Sequence, residues 1–205
     1  MDIAADLTSK SAPKIRKAAK NILDNKIIGY EELLLKCLGD YIDKPRSWKT
    51  QSEIIRAIGI TGSSKSIDYL LKLSLYKFES TALFKDIGFS ICLLHDIPNK
   101  HLNYLLSILS SDNMLLIAGA CSALLYSKYV PTNVEINTIL KAISKTDTDE
   151  GNIITPRCYI AALAFLWPKE IVKPFLEQCL LSKWDGLVEI SQSSLKGIET
   201  KYVLV

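Results

Sequence analysis

The stretch Thr50-Gln51-Ser52-Glu53-Ile54-Ile55-Arg56-Ala57-Ile58-Gly59-Ile60-Thr61 places apolar side chains three and four positions apart. This spacing is typical of a helix that buries one face and exposes the other. Gly62-Ser63-Ser64 interrupts the pattern, and a second helical pattern follows from about residue 65. The stretch therefore predicts two antiparallel helices joined by a short polar turn.

Helix pairs of this kind recur along the chain, and no segment of any length alternates polar and apolar residues as an exposed strand would. The predicted pairs are 12–26 with 30–43, 49–61 with 65–78, 81–95 with 100–110, 113–127 with 134–144 and 156–167 with 169–182, followed by a last helix at 187–199. The repeat has steps of 35, 35, 31, 42 and 29 residues when it is counted between Ile15, Thr50, Lys85, Leu116, Cys158 and Leu187. Irregular steps of this size are typical of arrays in which each pair buries its apolar face against its neighbours.

The first two pairs resemble the HEAT-repeat family, in particular its short bacterial form. Ile15-Arg16-Lys17-Ala18-Ala19 matches the start of that repeat, and Arg56-Ala57-Ile58-Gly59-Ile60-Thr61-Gly62 with the Leu-rich helix after it matches the end. The resemblance extends over about residues 11–199. It implies an all-α fold, a right-handed α-solenoid of about five to six antiparallel helix pairs in a single domain over residues 1–205. Repeat families specify an architecture and not an activity.

Composition is that of an ordinary folded protein: of 205 residues, 48% are apolar and 23% charged, and the net charge is +3. The first six residues include two acids and no apolar core, so no secretory signal is expected. The longest uncharged run, residues 113–127, is shorter than the roughly 18 apolar residues of a membrane span and predicts a helix buried on both sides. The five cysteines form no Cys-x-x-Cys pair, which favours buried thiols in the cytoplasm.

Residue patterns that carry chemistry are weak. His95 and His101 flank a turn with Asp96 and could hold a metal ion, but roles in the loop and in capping a helix fit better. Residues 59–66 are similar to a phosphate-binding loop, but Ser64 rather than Gly precedes Lys65, so a turn between helices is predicted.

The acidic segment 146–152 is similar to a calcium-binding loop, but its Gly is one position early. The twelfth position of that loop is Cys158 rather than Glu, and a solvated insertion fits the segment better. We therefore predict no catalytic residues, no metal and no cofactor.

The second helix of each pair is expected to line a continuous binding face. Removing the apolar stripe of each helix, which in the second pair includes Leu75, leaves the side chains that should point outward. Exposed tyrosines near carboxylates are a reasonable protein-binding surface, although an ordinary solvated face would look the same. The candidate partner-binding residues are Glu32, Lys36, Asp40, Asp43, Asp68, Tyr69, Lys72, Tyr76, Asn103 and Tyr104.

The leading hypothesis is a non-enzymatic protein-binding module of the cytoplasm that is a monomer outside its complex and does not bind membranes. Small HEAT-like proteins without catalytic motifs resemble immunity proteins, which implies a bacterial toxin domain, such as a nuclease, as the partner. The acids at positions 32, 40, 43 and 68 would then steer the toxin.

Two alternatives remain open. One is a nucleic-acid-binding solenoid similar to the HEAT-like alkylpurine DNA glycosylases, for which Trp184-Asp185 is the only adjacent Trp–Asp pair. Charge does not cluster along the sequence, since residues 1–44 hold eight basic and seven acidic groups and residues 111–205 hold nine and ten. Nucleic acid is therefore the less favoured partner. The other alternative is an adaptor or maturation factor.

Overall fold

Helices are the only regular secondary structure in the computed structural model, which describes residues 2–44, 46–146 and 155–200. The all-α prediction is therefore confirmed for those residues. The helices are α1 Ile3–Leu7, α2 Ala12–Asn25, α3 Glu31–Tyr41, α4 Trp48–Thr61, α5 Ile67–Ser74, α6 Leu83–Ile91, α7 Ile97–Asn99, α8 Asn103–Ile108, α9 Met114–Ser127, α10 Asn133–Thr146, α11 Pro156–Leu163, α12 Lys169–Cys179 and α13 Asp185–Leu195.

Helix boundaries differ from the predicted ones mainly in the second and third pairs. A single 3-10 turn, Ser64–Ser66, precedes α5, and α5 ends at Ser74 rather than at residue 78. A π-helical turn, Cys92–Asp96, joins α6 to α7. Pro98 has no N–H with which to continue the helix, and the chain turns at Lys100, whose φ is 55°. The short α1, capped by Asp2, was not predicted.

The first helices of successive pairs pack on one another in chain order: α2 on α4, α4 on α6, α6 on α9, and α9 on α11. Buried apolar side chains form one continuous cluster from Leu7 to Ile190. Every residue of α9 from Leu116 to Leu124 is buried, which confirms that the longest uncharged run is a helix buried on both sides. All five cysteines are buried thiols, as predicted.

The backbones of α6 and α9 lie in direct contact at two glycines. A Cβ added at Gly88 would lie 2.2 Å from the carbonyl oxygen of Leu116, and one added at Gly119 would lie 1.9 Å from the carbonyl oxygen of Lys85. Each distance is far below van der Waals contact, so any side chain at either position forces the two helices apart. Glycine is therefore required at both positions by the packing, even though it weakens a helix.

Buried hydroxyl groups add polar links between consecutive first helices. Ser90 on α6 donates to the carbonyl oxygen of Ile55 on α4 at 2.9 Å, and Ser194 on α13 donates to that of Ala161 on α11. Each hydroxyl therefore satisfies its own hydrogen-bonding need and fixes the rotation of one helix against the next.

Gly119→Ala should destabilise the fold by about 1–3 kcal/mol or more, because its methyl group must displace the α6 backbone. Gly39→Ala on α3 is the matched control, since its Cβ would meet only the Tyr69 hydroxyl at 3.8 Å. The control should leave stability unchanged or raise it by up to about 1 kcal/mol, the helix-propensity gain of Ala over Gly. Urea denaturation followed by circular dichroism measures both, and equal stability of the two variants would contradict the close packing.

Candidate functional site

The second helices α3 and α5 present most of the predicted partner-binding residues to solvent. Tyr69 and Tyr104 are half-buried, because both pack against the apolar cluster. The exposed ones are Glu32, Lys36, Asp40, Asp43, Asp68, Lys72, Tyr76 and Asn103. The prediction that Leu75 faces inward was wrong: α5 ends at Ser74, and the Leu75 side chain is 87% exposed. Its exposure places an apolar side chain beside Tyr76.

Asp43, Tyr69 and Tyr76 form the centre of this face. The hydroxyl of Tyr76 donates a hydrogen bond to the Asp43 carboxylate, which raises the pKa of the phenol. The pKa of Tyr69 is also raised, first by burial and then by the charge of Asp43. Both phenols are therefore neutral at physiological pH and able to donate hydrogen bonds.

Tyr104 lies apart from this centre, on α8 beside the two histidines. Its ring packs edge-on against His95 with 4.6 Å between centroids. Asp96 is buried and accepts hydrogen bonds from the backbone N–H groups of Tyr104 and Leu105, at 3.1 and 2.6 Å. Asp96 therefore caps the start of α8, and its carboxylate also contacts Nδ1 of His95 at 3.0 Å. Among the described residues no group of His, Cys, Asp and Glu is placed to hold a metal ion.

The segment 59–66, which is similar to a phosphate loop, binds a carboxylate of the protein itself. The carboxylate of Glu31, at the start of α3, accepts hydrogen bonds from the Ser63 backbone N–H at 2.9 Å and from the hydroxyls of Ser63 and Ser66. Partial burial raises the pKa of Glu31, but the hydrogen bonds from Ser66 and Ser63 outweigh it, and the pKa lies below its usual value. These hydrogen bonds give the turn a structural role, because they connect the first helix pair to the second.

Glu31→Gln should lower the free energy of unfolding at pH 7. Because the folded-state pKa of Glu31 is lowered, its stabilising contribution is present above the unfolded pKa of 4.5 and is lost as the pH falls through the folded value. The stability gap between wild type and variant should therefore narrow from pH 6 to pH 3 in urea titrations. The neighbouring exposed Glu32→Gln is the control and should show no gap, whereas a pH-independent gap for Glu31→Gln would contradict the proposed contacts.

A second group of charged side chains, which the sequence did not indicate, lies between α4 and α6. Burial raises the pKa of Asp86 to about 6, and a hydrogen bond from Ser52 and the charges of Arg56 and Lys85 only partly oppose this. Burial also lowers the pKa of Lys85, whose ammonium lies 5.4 Å from the ring centroid of Tyr159. These groups are held by the packing of the first helices and lie away from the α3–α5 face.

Asp86→Asn should remove a pH dependence of stability. The folded pKa of about 6 exceeds the unfolded pKa of 3.8, so the stabilising contribution of protonated Asp86 is complete below pH 3.8 and lost as the pH rises through 6. The free energy of unfolding of the variant minus that of wild type should therefore rise by about 3 kcal/mol as the pH is raised from 3.5 to 7. Exposed Asp68→Asn is the control, and a constant difference between Asp86→Asn and wild type across that range would contradict the shifted pKa.

Two clefts flank the connection between α3 and α4. One, of about 510 Å³, lies between this connection and the one after α5. Its lining includes Asp43, Lys44, Arg46, Trp48, Tyr76, Lys77, Phe78 and Glu79. The other, of about 370 Å³, lies between the connection and the start of α2. Its lining includes Arg16, Tyr41, Lys44, Arg46, Ser47, Lys49 and Thr50. The structure thus gathers cations that are spread over the first and second pairs of the sequence.

Two further sequence patterns have plain structural contexts. The ring of Trp184 lies against Gly186 in the first turn of α13, where an added Cβ would be 2.4 Å from the ring, so the Trp184-Asp185 pair packs at a helix start. The acidic segment 146–152 lies outside the described residues except for Thr146, the last residue of α10.

No helix in the described part of the chain is long and apolar enough to cross a membrane.

Comparison of the chain with protein-family models, with curated proteins and with solved structures gave no match. Side-chain geometry and charge are therefore the basis on which a function can be proposed.

Proposed function

We propose that the chain is a short right-handed solenoid of five to six HEAT-like helix pairs, in one domain, that binds another protein and has no enzymatic activity. The order of helix packing supports the solenoid arrangement, because the first helices of successive pairs contact one another in chain order. The continuous apolar cluster supports it too, since every pair contributes side chains to the same core.

The observation that carries the proposed function is the exposure of Leu75, which directly follows α5 and precedes the exposed Tyr76. An apolar and an aromatic side chain at the centre of a surface can anchor a partner that buries them. Three carboxylates, those of Asp40, Asp43 and Asp68, are exposed on the same two helices and their ends. The face therefore fits a partner that offers an apolar recess surrounded by basic groups.

A basic partner is what the narrower proposal requires. In that proposal the chain is a cytoplasmic immunity protein, a monomer until it binds, that neutralises a bacterial toxin domain such as a nuclease. A nuclease binds phosphates through cations, and the carboxylates of the α3–α5 face would pair with those cations and cover the site. Local acidity is sufficient for charge pairing, because fields at physiological salt decay within about 8 Å and a partner senses the nearby surface.

Tagged wild-type chain should capture one protein at 1:1 stoichiometry from the cells that produce it, and Leu75→Ser should reduce recovery at least tenfold. Leu181→Ser is the matched control, because Leu181 is also highly exposed, 83% against 87%, but follows α12 at the far end of the chain. Quantitative mass spectrometry of the captured material measures the ratio. Equal recovery by the two variants would reject the α3–α5 face.

The captured partner decides the narrower proposal. Expression of that partner in cells without the chain should arrest growth, and co-expression of wild type but not of Leu75→Ser should restore it. A partner that does not arrest growth would reject the immunity proposal and would be consistent with the more general proposal of a protein-binding module. Recovery of nucleic acid alone, lost as salt is raised, would instead favour the nucleic-acid-binding alternative.

A further inference from the structure

The two clefts beside the α3–α4 connection, hereafter the basic clefts, are lined by cations that the proposed function does not use. Five cations line them, whereas the only carboxylates are Asp43 and Glu79. The cleft nearer α2 contains no carboxylate at all. The five cations are Arg16, Lys44, Arg46, Lys49 and Lys77.

Neither carboxylate forms an ion pair with these cations among the described residues, although both line the larger cleft. Asp43 accepts the hydroxyl of Tyr76, and Glu79 accepts the backbone N–H of Arg46 at 3.4 Å. The ion pairs found within residues 2–44, 46–146 and 155–200 involve none of the five cations. The positive charge of the basic clefts is therefore available to an anionic ligand.

Aromatic side chains lie among the cations. Trp48, at the start of α4, is 41% exposed and lines the larger cleft together with Tyr76 and Phe78. The ring centroids of Tyr76 and Phe78 are 5.1 Å apart. The ammonium of Lys49 lies over the Trp48 ring, 5.5 Å from the ring centroid, so a cation and an exposed ring occur together. Alternation of exposed rings with cations is the arrangement by which proteins bind single-stranded nucleic acid.

The start of α4 adds to the positive potential between the clefts. Ser47 precedes the helix without a side-chain cap, because its hydroxyl donates to the carbonyl oxygen of Lys44 at 2.6 Å. The start of this 14-residue helix therefore has no side-chain cap, and the helix dipole adds positive potential at the end that Ser47 and Trp48 bring to the clefts.

We propose that the basic clefts bind a strand of single-stranded nucleic acid, with phosphates among the five cations and a base stacked on Trp48. This goes beyond protein binding and uses different residues, apart from Asp43 and Tyr76 at the border of the α3–α5 face. The rings favour nucleic acid over an acidic protein segment, because carboxylate side chains gain nothing from an exposed indole face. A duplex would hide its bases from the indole and should bind more weakly.

The test is fluorescence anisotropy of the full chain with a labelled oligo(dT) or oligo(U) of about 12 nucleotides, at several salt concentrations. Arg46→Gln with Lys49→Gln should weaken binding at least tenfold at low salt and should reduce the salt slope by about one or more. Trp48→Leu should weaken binding about fivefold or more, as expected for the loss of one stacked base. Thermal melting establishes that each variant is folded.

The matched control is Lys36→Gln with Lys72→Gln, which removes the same charge from exposed positions on α3 and α5 outside the clefts. It should change affinity less than twofold. Equal weakening by both double variants, or no binding by wild type at low salt, would overturn the proposal. Displacement of the oligonucleotide by a polyglutamate peptide, with no effect of Trp48→Leu, would also overturn it and assign the clefts to an acidic protein.

Discussion

The contact between the backbones of α6 and α9 is the constraint on which the rest of the structure depends. Gly88 and Gly119 let the two helices meet without an intervening side chain, whereas helices in proteins usually pack with axes about 8–10 Å apart. Gly59 on α4 extends the arrangement, because an added Cβ there would lie 2.3 Å from the Ser90 hydroxyl. The middle of the chain is therefore a tightly spaced row of first helices, and the position of each second helix follows from it.

Close spacing brings together side chains from first helices that are not neighbours. The ammonium of Lys26, at the end of α2, lies 5.7 Å from the ring of Tyr126 on α9, although α4 and α6 come between them in the packing order. Lys85 on α6 reaches Tyr159 on α11 past α9 in the same way. Burial within this closely spaced row is also the main cause of the raised pKa of Asp86.

The sequence predicts the helices well because their period is a local property. The burial of α9 follows from an uncharged run, and the turn at residues 62–66 follows from its short polar residues. The sequence cannot show what depends on contacts between pairs. Glu31 fills the turn after α4 only because α3 lies beside it, and Leu75 is exposed because α5 stops one residue earlier. The candidate face was accessible to pattern analysis, whereas the basic clefts were not, since Arg16 and Arg46 meet only when α2 packs on α4.

The acidic α3–α5 face and the basic clefts meet at two consecutive residues, Asp43 on the face and Lys44 in the clefts. A net charge of +3 conceals this division, because the two signs nearly cancel over the whole chain. At physiological salt, fields decay within about 8 Å, so a ligand at one surface experiences that surface rather than the average. The hydrogen bond from Tyr76 holds Asp43 at the border, where Asp43 also lines the larger cleft. Local geometry, and not total charge, therefore determines which ligands this small protein can distinguish.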